Sequence, residues 1–336
     1  MTTTQALNLK YLKTIGLVNN QPTGRGFANP VDLAVSADGR ILVLNRGAPI
    51  FARVGVCNLD EDYLYEIGSI GDGDGQFKLP TALALDSRER VFISDEYHHR
   101  ISVFDLSGKY LGRWGEHGSG EGQLDGPAGL AIDANDNVWI TDQRNHRLQK
   151  FTADGLFIAQ CGEKGDGDGQ LDLPWGIALD AGGSVYVADW RNDRIQKFSP
   201  DGRFMASFGE PGDGNGRFHR PSGIAVDSEG RIYVADWGNE RVQVLTADGG
   251  HLLTLKGEAT LSMWAEEFFA ANPDEAVERE KSDLMPKLPP QFHTPYLVSS
   301  QTESYFWGAT SVNLDGEGRL YVTESSRHRF QVYERA

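Results

Sequence analysis

The sequence predicts an all-β fold: a six-bladed β-propeller, closed into a ring by its own N-terminal strand, with a mostly helical insertion before the last blade. Three observations predict it. The segment LPTALALDSRERVFISDEYHHRISVFDLSGKYLGRWG at 79–115 recurs at 126–162, 173–209 and 220–257, with Asp86, Asp133, Asp180 and Asp227 each 47 residues apart. Each copy alternates apolar and polar positions between turn signals such as DAGG, DWRND and SPDG, which reads as four short strands. Two divergent copies, NPVDLAVSADGRILVLNRG at 29–47 and GATSVNLDGEGRLYVTESSRHRFQVYE at 308–334, bring the set to six. A four-stranded repeat of that period is one propeller blade, and the whole chain, 1–336, reads as a single ring.

Taken in order, the blades justify the closure. The last copy ends after its third strand, while KYLKTIG at 10–16 matches KYLGRWG at 109–115. The N-terminal segment is therefore expected to supply the missing outer strand and to remove two exposed sheet edges. Between Asp227 and Asp315 the spacing is 88 residues, so an insertion of about 41 residues lies within 257–308. LSMWAEEFFAAN at 261–272 places Leu261, Trp264, Ala265, Phe268 and Phe269 on one helical side, and Pro273 opens a second helical stretch. Pro286, Pro289, Pro290 and Pro295 predict an extended return. A long insertion entering at a channel mouth is expected to act as a lid.

Composition narrows the function. With 48 acidic and 32 basic residues the net charge is −16, which disfavours both nucleic acid and an anionic membrane surface. Two cysteines, Cys57 and Cys161, make no disulfide scaffold. The N-terminal residues carry no apolar run of signal length, and a cytoplasmic location is expected.

The pattern PxGIAVDxxGxIYVADxxNxRIQVFxxDGxFxxxFGxxGxGxGQF, kept in register over six copies, resembles the NHL repeat. The resemblance implies a propeller; its known members include tripartite-motif modules that bind RNA or protein and enzymes such as peptidyl-hydroxyglycine amidating lyase. In that lyase, zinc is held by histidines that follow the Pro of inner strands. The six matching positions here are Val31, Thr81, Ala128, Trp175, Ser222 and Thr310, so no metal and no cofactor is expected. Asn45-Arg46-Gly47 resembles the family's catalytic-arginine stretch, and Tyr97 in SDEYHHR resembles its catalytic tyrosine, one blade early.

Residues that repeat in each regular blade read as architecture. The loops GDGDGQF, GDGDGQL and GDGNGRF lack the glutamate that an EF-hand needs at its twelfth position and read as turns. Asp95, Asp142, Asp189 and Asp236, with Arg100, Arg147, Arg194 and Arg241, read as a ring of charge pairs holding blade to blade. His98, His99, His146 and His328 are spread over three blades, and the last three align with Asp193 and Glu240 at a position expected to face solvent.

Function is sought where the copies differ, on the loops joining second to third strands. These loops share one end of the ring with the entries to the inner strands. They offer Arg46, Glu96, Tyr97, His98, Arg144, Arg191, Trp190, Trp237 and Arg327, to which Trp175 and the channel-facing candidate Asn313 are added. Arginines beside aromatics suit an anionic or carbonyl-bearing substrate with an apolar body. Arg46 and Tyr97, with Glu96 or His98, form a candidate metal-free acid–base set. These residues favour a small-molecule lyase or hydrolase; the alternative is a protein-interaction propeller docking through its Trp-rich rim and the insertion.

Overall fold

A computed structural model describes residues 7–19, 21, 23–47 and 51–336. The three extra residues expected in the first blade's tip, which include Ala48 and Pro49, lie outside these residues. Six four-stranded antiparallel sheets form the ring. Blade 1 runs through Pro30–Val35, Ile41–Gly47, Phe51–Cys57 and Tyr63–Ile67, and blade 4 through Pro174–Leu179, Val185–Asp189, Arg194–Phe198 and Phe204–Phe208. Blades 2, 3 and 5 repeat the plan from inner strands Pro80–Leu85, Pro127–Ile132 and Pro221–Val226. Blade 6 takes Ala309–Leu314, Leu320–Glu324 and Arg329–Arg335 from the C-terminal part. Its fourth strand is Leu9–Ile15, antiparallel to the third with Leu9 opposite Arg335. The closure read from the sequence is the one observed.

The core is divided among the blade interfaces. Side chains at alternate positions of one blade meet those of the next, giving a separate apolar cluster at each junction, from Leu42, Val54, Phe77 and Ile93 between blades 1 and 2 to Val244, Leu255, Val312 and Val322 between 5 and 6.

The Asp–Arg pairs act differently from expectation. Arg147 Nε donates to Asp142 at 2.8 Å while its other nitrogens bind the carbonyls of Ser119, Gly120 and Gln123. Arg194 and Arg241 repeat this on their own entry linkers. The pair thus fastens a blade to the linker that enters it. Holding blade to blade falls to the positions expected to face solvent. His99, His146, Asp193, Glu240 and His328 adopt left-handed backbone, with φ of 52–55°. Their side chains accept the backbone N–H of Gly126, Leu173, Arg220, Gly308 and Asn29, each at the entry to the next blade. Any acceptor of the right reach serves, which is why imidazole and carboxylate alternate there.

The insertion forms three helices. Helix α1 (Met263–Ala271) is capped by the Ser262 side chain and buries Trp264 completely between Phe27 and Tyr63, with ring centroids at 5.4 and 5.9 Å. The Trp264 indole donates to the Glu61 carbonyl. Helix α2 (Pro273–Lys281) buries nothing, and α3 (Pro295–Gln301) lies beside the Trp237–Asn239 turn. Of the apolar side read from the sequence, Trp264 and Ala265 are buried while Phe268 is 41% exposed. Among the described residues, no helix is long and apolar enough to cross a membrane.

Candidate functional site

Backbone hydrogen bonds pin each tip between second and third strands to the residue preceding an inner strand. Arg46, Glu96, Arg144, Arg191, Gly238 and Ser325 donate to the carbonyls of Asn29, Leu79, Asp125, Asp172, His219 and Gly308. The varied tips therefore do share one end of the ring. Three of them, Gln143–Asn145, Trp190–Asn192 and Trp237–Asn239, are single 3₁₀ turns that project the first side chain along the rim.

At this end lies a cavity of about 270 Å³ lined by Val31, Arg46, Trp175, Trp190, Ser222, Trp237, Thr310 and Ser325. Trp175 and Trp190 come from the inner strand and the tip of blade 4, with ring centroids 6.4 Å apart at 37°. Trp237 adds a third indole from blade 5. The Arg220 guanidinium lies 4.8 Å over Trp190 and fixes its outer face. Arg46 stands opposite, its guanidinium 2.5 Å from Glu96, whose second oxygen is 2.5 Å from Arg144.

The structure brings together only part of the expected set. Arg46, Trp175, Trp190 and Trp237 line the cavity. Glu96 is held between Arg46 and Arg144, which leaves neither of its oxygens without a cation. Tyr97 turns outward, 53% exposed, with Lys78 Nζ 4.6 Å over its ring, so it is not beside Arg46. His98 is clamped between Asp95 at 2.5 Å and Asp72 at 2.9 Å, in the place where Asn145, Asn192 and Asn239 hold the linker in other blades. Arg191 is exposed on the outer rim. Arg327 stacks on Trp307 at 5.2 Å and donates to the carbonyls of Ser299, Ser300 and Thr302, so it anchors α3. No residue of 257–308 lines the cavity: α1 packs on the side of the ring, and the insertion does not cover the mouth.

Beneath the mouth the channel narrows to a water-sized space of about 60 Å³, which shares Val31, Trp175, Ser222 and Thr310 with the cavity above. Polar stitches join successive blades around it: Thr81 to the Pro127 carbonyl at 2.9 Å, Thr141, on the second strand of blade 3, to the Trp175 carbonyl at 2.6 Å and Ser222 to the Thr310 carbonyl at 2.9 Å. Asn313 does line the channel, and its amide donates to Asp32 at 3.1 Å. Asp32 is the acid that sequence reasoning missed. Its carboxylate accepts the Leu83 and Leu33 N–H groups at 3.0 and 2.9 Å. Enclosure nevertheless outweighs these bonds and pushes its pKa up to about 6. The signal was present in the repeat alignment, where Asp32 shares a column with Ala82, Gly129, Gly176, Gly223 and Ser311. Among the described residues, no histidine lines the mouth or the channel. Among the described residues, the one grouping of possible metal ligands lies outside both, at the junction of blades 2 and 3.

Comparison with known proteins agrees with the architecture. The NHL repeat model matches residues 124–151, 171–198 and 218–245. No curated protein sequence matches the chain. Among solved structures it is similar to a streptogramin B lyase, with 12% identity over 98% of both chains and a TM-score of 0.60. It is also similar to a catalytically inactive histidine-to-alanine variant of virginiamycin B lyase from Staphylococcus aureus, solved with quinupristin. There the identity is 15% over 98% of this chain and 100% of that one, with a TM-score of 0.58. A protein of unknown function from Bacteroides thetaiotaomicron shares 19% identity over 98% of this chain and 76% of its own, with a TM-score of 0.64. At these identities the likeness is one of fold, and ring and neighbours agree on it: the chain is a six-bladed β-propeller in which three repeats match the NHL model.

Proposed function

We propose that this propeller binds a small molecule in the mouth cavity and acts on it as a metal-independent lyase or hydrolase. The observation that carries the reading is the convergence of three indoles from two neighbouring blades on a space of about 270 Å³ with one guanidinium at its edge. Such a site suits a compact apolar or aromatic body ending in a carboxylate or carbonyl. Arg46 is the group placed to polarise that end, with Glu96 and Arg144 fixing its orientation. Asp32, with a pKa near 6, is the acid–base group of the channel below and reaches the mouth through water. Two structural neighbours are lyases, which supports the class; the exchange that inactivates one of them removes a histidine, a residue with no counterpart lining this mouth.

The test is a panel of aromatic carboxylates, esters and lactones, read by thermal shift and by mass spectrometry of products. At least one compound is expected to raise the melting temperature of the native protein and to be converted. Arg46→Met should lose conversion, and the Trp190→Ala, Trp237→Ala double variant should lose the shift. Equal responses from native protein and double variant would sink the reading.

A second reading has its own observation. Phe268, Met285, Phe292 and Tyr296 are 41–63% exposed on the insertion, and none of them lines the mouth cavity. A protein partner docking there would leave the mouth variants unaffected and would be lost on Phe268→Ser with Phe292→Ser.

A further inference from the structure

The geometry points to a divalent transition-metal site formed by His99, His117 and Asp125 on the rim between blades 2 and 3, taking a borderline ion such as Zn²⁺. His99 ends the tip of blade 2, and His117 and Asp125 belong to the linker that enters blade 3. One donor atom from each lies within 4.8 Å of the other two. His99 Nδ1 stands 3.4 Å from Asp125 Oδ1, and His117 Nε2 stands 3.7 Å from the same oxygen. A tetrahedral zinc with bonds near 2.1 Å holds neighbouring donors roughly 3.4 Å apart, so both imidazole–carboxylate distances already lie within a few tenths of an ångström of that spacing. The two imidazole rings face each other at 4.1 Å, tilted by 34°. Two protonated rings would repel at that distance, whereas two neutral ones joined by a carboxylate form a ligand set of two nitrogens and one oxygen.

The repeat supplies its own control. At the next junction His146 and Asp172 stand 3.2 Å apart in the same two places, but Lys164 occupies the position of His117. Ile70 and Pro211 hold it at two other junctions. His99 and His146 are explained by the blade-to-blade hydrogen bond they share with Asp193 and Glu240; His117 is not, because nothing in the architecture calls for a side chain there. It is 64% exposed, and its side chain faces His99 and Asp125.

Binding would exchange partners. The His99 Nδ1 lone pair, which now accepts the Gly126 N–H at 3.1 Å, would pass to the ion. Arg144, 3.4 Å from Asp125 and 45% exposed, would give up that contact and keep Glu96. Three protein ligands leave the fourth position to water, so the ion would be exchangeable. This site stands whether or not the mouth cavity binds a small molecule.

The experiment uses the full chain without a polyhistidine tag, stripped with chelator and titrated with Co²⁺ and Zn²⁺. The native protein is expected to take up one equivalent of Co²⁺ with the visible band of a tetrahedral site, to lose that band to Zn²⁺, and to melt at higher temperature with the metal. His117→Lys installs the residue the next junction already tolerates, so it should fold as the native protein does and weaken binding at least 100-fold. Absence of saturable uptake by native protein, or binding by His117→Lys within tenfold of native, overturns the site.

Discussion

The junction between blades 4 and 5 and the junction that closes the ring, between blades 6 and 1, solve the same packing problem in different ways. In the regular junction the inner strands come so close that only glycine fits. A Cβ on Gly176 would sit 2.4 Å from the Ser222 carbonyl oxygen and 3.0 Å from the Gly223 Cα. At the closure the same column carries Asp32 and Ser311, and the strands are joined by side-chain hydrogen bonds through Asn313. Closure also recruits material from outside the repeat: the strand Leu9–Ile15 and Trp264, which packs with Phe27, Leu33, Tyr321 and Phe330. The junction of blades 4 and 5 thus packs backbone directly against backbone, while the closing junction is joined through side chains and clasped from outside. The difference teaches where this ring can accommodate an acid, and among the described residues that acid is the one titratable group lining the channel.

Breaking the clasp should have the largest effect. Deleting residues 1–16 removes the outer strand of blade 6 and exposes the edge of Arg329–Arg335, so the truncated chain is expected to aggregate on expression. A soluble protein with unchanged circular dichroism and melting temperature would show that the ring closes without that strand. Trp264→Ala empties a fully buried site at the same junction and gives up the indole bond to Glu61. A loss of roughly 3–5 kcal/mol is expected by chemical denaturation, as for other large core truncations. A loss below about 1 kcal/mol would reduce the insertion to decoration.

The regular junction is sharpened by exchanging residues within one column. Gly176→Ala must push two backbones apart and is expected to cost about 2–3 kcal/mol. Ala82→Gly, at the matching position of blade 2, loses one methyl and some chain stiffness and should cost about 1 kcal/mol. Equal costs for the two would mean that inner-strand spacing is uniform around the ring.

How much of this was legible in the sequence follows the same division. Whatever repeats was readable: the period, the blade count, the closing strand and the end of the ring at which the tips meet. Side-chain direction at the tips was not, because it is set by neighbours from another blade or linker. Asp72 and Asp95 capture His98, and Lys78 draws Tyr97 outward. Variation was also misleading at His99, His146, Asp193, Glu240 and His328, where it marks a backbone clasp satisfied by any acceptor. The channel acid was missed by one residue, since Val31 and its counterparts were compared and Asp32, the next position, was not. The insertion's amphipathic stripe gave the buried face of α1 at Trp264 and Ala265. It carried no information on which surface would receive that face, because one apolar side fits a channel mouth or a blade junction equally well.

The finest test of the contrast is the carboxyl itself. Burial raises the Asp32 pKa from an ordinary 3.8 to about 6, so the folded protein holds that proton more tightly than the unfolded chain does. The sign follows directly. The stabilisation linked to Asp32 is complete below about pH 3.8 and is lost as pH rises through 6. Asp32→Asn cannot ionise; its one amide oxygen serves only one of the Leu83 and Leu33 N–H groups, which bind different carboxylate oxygens, and that lost bond is a pH-independent offset. From pH 5 to 7.5 the variant should therefore gain on the native protein by about 1.4 kcal/mol, measured as the difference between their melting curves at each pH. The matching variant of a regular blade, Gly176→Asn, offers no such comparison, since no side chain fits there. If the difference between native and Asp32→Asn does not change across that range, the carboxyl is already ionised at pH 5 and the channel is wetter than its width implies. If the difference follows the expected course and conversion of a bound compound disappears with it, the polar closure that distinguishes blades 6 and 1 is also the source of the protein's chemistry.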